Sequence, residues 1–102
     1  MKRELIMEIY DAFFITGKGV AVTGKVQNEG ISVGQKIIID LESLPELETE
    51  IKSIEMVNAS VKDAFKNENV AIFLANVEQR KISALRQKKV YLFWFINPIV
   101  NF

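Results

Sequence analysis

Gly-Lys-Gly-Val-Ala-Val-Thr-Gly-Lys-Val-Gln-Asn-Glu-Gly-Ile-Ser-Val-Gly, residues 17–34, holds all five glycines of the 102-residue chain. Glycine supplies positive φ and close backbone approach, so this stretch is tightly turned. Within it Val20, Val22, Gly24 and Val26 share one parity, and Ala21, Thr23, Lys25 and Gln27 the other. Alternation of this kind with β-branched residues predicts a half-buried strand. Working outward, Ile37, Ile39 and Leu41 alternate with Lys36, Ile38 and Asp40 and predict a second strand. Leu5 to Ile15 reads as extended, with Ile9, Phe13 and Ile15 on one face. Asn69 to Val77 and Lys88 to Ile96 are short apolar runs of strand character, and Gln79 to Arg86 suits a short helical turn. Several short strands with glycine-marked turns argue for an antiparallel barrel or sandwich.

One stretch supports two readings. Leu47, Ile51, Ile54, Val61 and Phe65 recur near a helical period, so residues 46–66 read as an amphipathic helix. The same residues read as a strand only with a bulge, because Ile51 and Ile54 fall out of phase with alternation.

Composition removes several functions. The length suits one domain. A hydrophobic content of 49% is too high for a disordered chain. Thirteen basic residues balance thirteen acidic ones, so no net field draws the chain to nucleic acid or an anionic membrane. Cysteine and histidine are absent, which removes disulfides, thiolate nucleophiles and the commonest general base and metal ligands. No metal or cofactor is expected. The N-terminal apolar run is interrupted by Glu8 and Asp11, unlike a signal peptide, and no apolar run approaches the ~20 residues of a membrane span. A cytoplasmic protein without a membrane partner is the expectation.

Gly19 to Lys25 has the spacing of a phosphate-binding loop, but Val26 stands where Ser or Thr must reach magnesium, and the intervening residues alternate like a strand. Asp40, Glu42, Glu46, Glu48, Glu50 and Glu55 crowd one region without a calcium-loop layout, and read as a solvated face. A carboxylate-only enzyme would draw on Glu48, Glu50 and Glu55, yet no nucleophile–base pair accompanies them, so no catalytic residue is expected. After Glu78 no acidic residue remains, and Arg80, Lys81, Arg86, Lys88 and Lys89 precede Tyr91, Phe93, Trp94 and Phe95. Consecutive aromatics on a strand cannot share a face, so these four are candidates for an interface patch as well as for core. Basic residues beside aromatics also suit single-stranded nucleic acid.

FFITGKGVAVTGKVQNEGISVGQKIII, residues 13–39, followed by IKSIEMVNASVKDAFKNENVAIFL, residues 51–74, closely resembles the second domain of elongation factor Tu and the other translational GTPases. The resemblance implies an all-β fold, a small closed antiparallel β-barrel of about six strands spanning residues 1–102. It implies a strand over residues 48–56 and a loop over residues 61–69. It assigns turns or close approaches to Gly17, Gly19, Gly24, Gly30 and Gly34. It places Glu55 at the position that lies against the terminal adenine of tRNA in the family, and Asn69 near the aminoacyl group. Val57 and Asn58 stand where tRNA-carrying members have an aromatic residue or histidine and then arginine, and Lys66-Asn67 replaces a small residue and glycine. Asparagine at position 67 tolerates the left-handed conformation a glycine would take. No GTPase domain lies within the 102 residues. The expected function is therefore a free-standing, non-catalytic binding module for tRNA or rRNA or for a protein partner. The alternative is a structural protein that self-associates through its aromatic C-terminal segment.

Overall fold

The computed structural model describes residues 2–42 and 45–94. Among them are ten strands and one short helix. The strands are β1 (Lys2–Glu8), β2 (Asp11–Ile15), β3 (Gly19–Lys25), β4 (Gly30–Ser32), β5 (Lys36–Asp40), β6 (Leu47–Met56), β7 (Ala59–Val61), β8 (Asp63–Phe65), β9 (Asn69–Leu74) and β10 (Lys89–Trp94). A 3₁₀ helix covers Gln79–Ala84. Every pairing is antiparallel, in the order β1-β10-β5-β6-β9-β3-β2, with β7 beside β6 and a separate β4–β8 pair.

The helix reading of residues 46–66 fails, and the bulge required by the strand reading is present. The register of β6 against β9 pairs Ile51 with Leu74 and Ser53 with Phe73, which leaves Lys52 as the extra residue. That one residue resets the alternation, so Ile51 and Ile54 both point inward and are fully buried. The segment expected as a loop carries the short strands β7 and β8. Asn67 has φ 75°, the left-handed conformation expected there.

The expected closed barrel of about six strands is corrected on two points. The strands number ten, and among the described residues no ladder joins the two ends of the sheet, β1 and β2. These two strands are consecutive, and the chain breaks strand geometry at Ile9–Tyr10 between them. Isolated bonds tie β1 and the bend after it to the β3 side of this seam: Tyr10 N donates to Thr23 O (2.8 Å) and Gln27 N to Ile6 O (2.8 Å). The break also corrects the single extended run over residues 5–15. A register shift between Leu5 and Met7 and the bend at Tyr10 reset the parity. Ile9 is buried with Ala12 in the core, while Phe13 and Ile15 face the other way and are half-buried and exposed.

One continuous core fills the space inside the curved sheet. It draws Val20, Val22 and Val26 from the glycine-rich stretch, Ile37, Ile39 and Leu41 from the second predicted strand, and Ile51 and Ile54 from β6. Leu85, just after the 3₁₀ helix, closes it. Residues 19–25 form a regular strand, which excludes the phosphate-loop geometry. At the β2–β3 turn Gly17 and Gly19 have φ of 86° and 103°, and they project Lys18 between them.

Candidate functional site

The four neighbouring strands β2, β3, β9 and β6 each turn alternate residues away from the core, and their registers align those residues in rows. One row runs Phe13–Ala21–Phe73–Ser53, the next Asp11–Thr23–Ala71–Glu55, and the third includes Lys25–Asn69. Glu55 and Asn69, singled out in the sequence, thus share one outer face as diagonal neighbours. Asn69 is exposed and Glu55 half-buried.

Phe73 lies at the centre of this face. It is 1% exposed yet stands outside the core cluster, so something on the outer side covers it. The cover includes Lys18 from the β2–β3 turn, whose Nζ lies 5.0 Å from the ring centroid. The same ammonium forms an ion pair with Glu55 Oε2. The Lys52 ammonium, projected from the bulge, donates to the Lys18 carbonyl oxygen (2.6 Å). The side chains of Lys18 and Glu55 are 48% and 28% exposed. At that exposure the ion pair contributes about 0.2–1 kcal/mol and the cation–π contact about 0.5–1 kcal/mol. A ligand with better hydrogen bonds can therefore displace Lys18.

A second ion pair borders the face. Arg86 Nε donates to Asp11 Oδ1 (2.7 Å) and Arg86 Nη2 to the Ala12 carbonyl oxygen (3.1 Å). The Arg86 hydrogen bond, helped by the Ala12 N–H, holds the Asp11 carboxyl below its ordinary value of 3.8. A depressed carboxyl stabilises the fold above its unfolded pKa, and that contribution disappears as pH falls through the folded value. Carboxyl-detected NMR is expected to place the Asp11 midpoint below 3.8, and Arg86→Met to move it back up. A wild-type midpoint at or above the ordinary value would show that the pair does not persist in solution.

The crowded acidic residues prove to be neutralised partly from distant strands. Arg3 pairs with Glu46, Lys88 with Glu42 (3.3 Å) and Lys18 with Glu55. Glu48 and Glu50 lie before the bulge and Glu55 after it, seven residues from Glu48 and so about 20 Å away along a strand. The three do not form one carboxylate site. Among the described residues no group of three His, Cys, Asp or Glu is placed to hold a metal ion.

Gly17 and Gly19 shape the turn under Lys18, Gly24 lies buried in β3, Gly30 opens β4, and Gly34 has φ 95° in the turn before β5. Of the aromatic interface candidates, Tyr91 and Phe93 are half-buried on the outer side of β10. The row Leu5–Tyr91–Ile38–Glu48 crosses β1, β10, β5 and β6, and Ile38 is buried there although outside the core cluster. Phe93, Lys36, Ile38, Glu48 and Glu50 line a groove of ≈ 330 Å³. Trp94 ends β10, but its side chain and all of Phe95 lie outside the described residues.

Sequence reasoning missed Lys18, Lys52 and Phe73. Lys18 carried a signal, a lone cation between two glycines, but its partners lie 37 and 55 residues away. Phe73 was indistinguishable from the core residues beside it in an apolar run.

No protein-family model matches the chain. The chain is 38% identical over 79 residues to the apicoplast elongation factor Tu of Plasmodium falciparum. The aligned part is 76% of this chain and 19% of that protein, so the chain spans about a fifth of its relative's length. The similarity agrees with the translation-factor resemblance of residues 13–74. Among the described residues no helix is long and apolar enough to cross a membrane.

Proposed function

We propose that this chain contains a non-catalytic counterpart of the second domain of elongation factor Tu, working in the cytoplasm and binding RNA through the outer face of β2, β3, β9 and β6. The observation that carries the reading is the grouping on that face. Glu55 and Asn69 offer hydrogen-bonding groups, and Lys25 beside Asn69 and Lys52 beside the Lys18 turn add positive charge. A carboxylate and an amide recognise base edges and ribose hydroxyls, and ammonium groups neutralise phosphates. The face suits a single-stranded end such as the terminus of tRNA, or an exposed rRNA strand.

Titration of fluorescent tRNA tests this. A dissociation constant on the order of 10⁻⁵ M is expected at 50 mM salt, weakening roughly tenfold at 200 mM for two to three neutralised phosphates. Lys25→Ala with Lys52→Ala is expected to flatten the salt dependence, and Asn69→Ala to weaken binding of an intact end more than of a trimmed one. Millimolar affinity, or affinity indifferent to salt, would remove the RNA reading.

A second reading, self-association, is favoured by the apolar row Leu5–Tyr91–Ile38 and by Phe93 beside it. Removing the C-terminal segment from β10 onward is no test, because β10 pairs with both β1 and β5. Phe93→Lys is the usable variant. Light scattering that finds a wild-type dimer and a monomeric variant would support this reading, and a monomer in both would count against it.

A further inference from the structure

In the free protein the Glu55 site is filled by the chain itself. Lys18 neutralises the carboxylate and caps the ring of Phe73, so both groups are engaged before any ligand arrives. The turn that presents Lys18 is short and bounded by glycines. Both flanking glycines have positive φ, and a Cβ at Gly17 would meet nothing within 4 Å. Lys52 steadies the turn from outside by its single hydrogen bond to the Lys18 carbonyl. Lys18 itself is half exposed, so its contacts with Glu55 and the Phe73 ring, both weak at that exposure, are what hold it over the site.

We propose that Lys18 is a built-in competitor for the RNA face: a ligand's nucleoside group reaches Glu55 only after displacing the lysine, so latch and ligand exclude one another. The inference rests on the RNA reading above and adds a regulatory element to that site. The physical basis is shared space: one ammonium sits both at Glu55 Oε2 and over the Phe73 ring, where a nucleoside group would have to lie. Glu55 Oε2 is held by the ammonium, and a base amino group or ribose hydroxyl seeking the same oxygen meets a cation. The Phe73 ring is shielded in the same way, since the ammonium lies over its face.

Adenosine is the appropriate probe, because it carries no phosphate through which Lys18 could instead help binding. Lys18→Met retains a flexible apolar stem over Phe73 and removes the charge. The variant is expected to bind adenosine roughly two- to tenfold more tightly than the wild type. In the background of Glu55→Gln that gain is expected to vanish, because the lysine no longer has a charge to guard. In the wild type, NMR is expected to show the Lys18 ε-methylene signals, shifted by the Phe73 ring, move toward unshifted positions as adenosine binds.

Adenosine binding with the Lys18 signals unmoved, or no tighter in Lys18→Met, would overturn the latch and leave the RNA reading intact. Failure of tRNA and adenosine to bind either protein would overturn both. Tighter binding by Lys18→Met that persists in Glu55→Gln would overturn the latch as well, because the gain would then come from somewhere other than Glu55.

Discussion

An alanine inserted between Ser53 and Ile54 is expected to abolish cooperative unfolding, and deletion of Lys52 from the same variant to restore it. Side chains alternate along a strand, so one extra residue sends every later side chain to the opposite face. In β6 the insertion would turn Ile54 out of the core and turn Glu55 in. Losing a fully buried isoleucine costs about 2–5 kcal/mol, and burying an unpaired carboxylate costs several more. Against a typical stability of about 5–15 kcal/mol, little remains. Removing Lys52 returns the count of residues between Ile51 and Ile54 to its original value, and the bulge re-forms one position later. Lys52→Ala keeps the count and loses one exposed hydrogen bond, an effect within about 1 kcal/mol. Thermal unfolding of these variants measures the difference. If the insertion melted like the wild type, the register of β6 would be wrong.

Gly24→Val is expected to have the second large effect. A Cβ at position 24 would lie 2.7 Å from the Glu8 carbonyl oxygen and 2.7 Å from Met7 Cε. The methionine end can rotate away, but Glu8 O belongs to the backbone of β1 where it crosses β3. The side chain would push apart the seam that isolated hydrogen bonds hold. Overpacking of this kind costs about 1–3 kcal/mol, and valine belongs at the upper end. Near 100 residues that lowers the melting temperature by roughly 10–20 °C. Gly17→Ala is the comparison: position 17 has open space and φ 86°, so its cost is conformational only, about 1–2 kcal/mol. Destabilisation by Gly24→Val no greater than that by Gly17→Ala would show that the close approach at the seam is not formed.

The sequence by itself determined the all-β class, the strand cores and most turns. Alternation is a local signal, and Val20, Val22, Ile37, Ile39 and Leu41 all face where their parity requires. It also stated the condition for β6, since the phase difference between Ile51 and Ile54 demands a bulge in any strand. Local spacing could not choose between that bulge and a helix, because spacings of three and four satisfy both local geometries, and only the family resemblance pointed to the strand that β6 forms. The choice fell to the ladder with β9, whose hydrogen bonds come from residues some twenty positions further along the chain. Glu55 and Asn69 were legible only through resemblance to a family, whereas their arrangement with Lys18 and Phe73 was not legible at all. Strand order and register decide which outward-facing residues become neighbours, and these are properties of pairing between distant segments. The opening between β1 and β2 has the same origin: nothing in the composition of Ile9 and Tyr10 announces that the chain bends there, and only the packing of β1 across Gly24 fixes it.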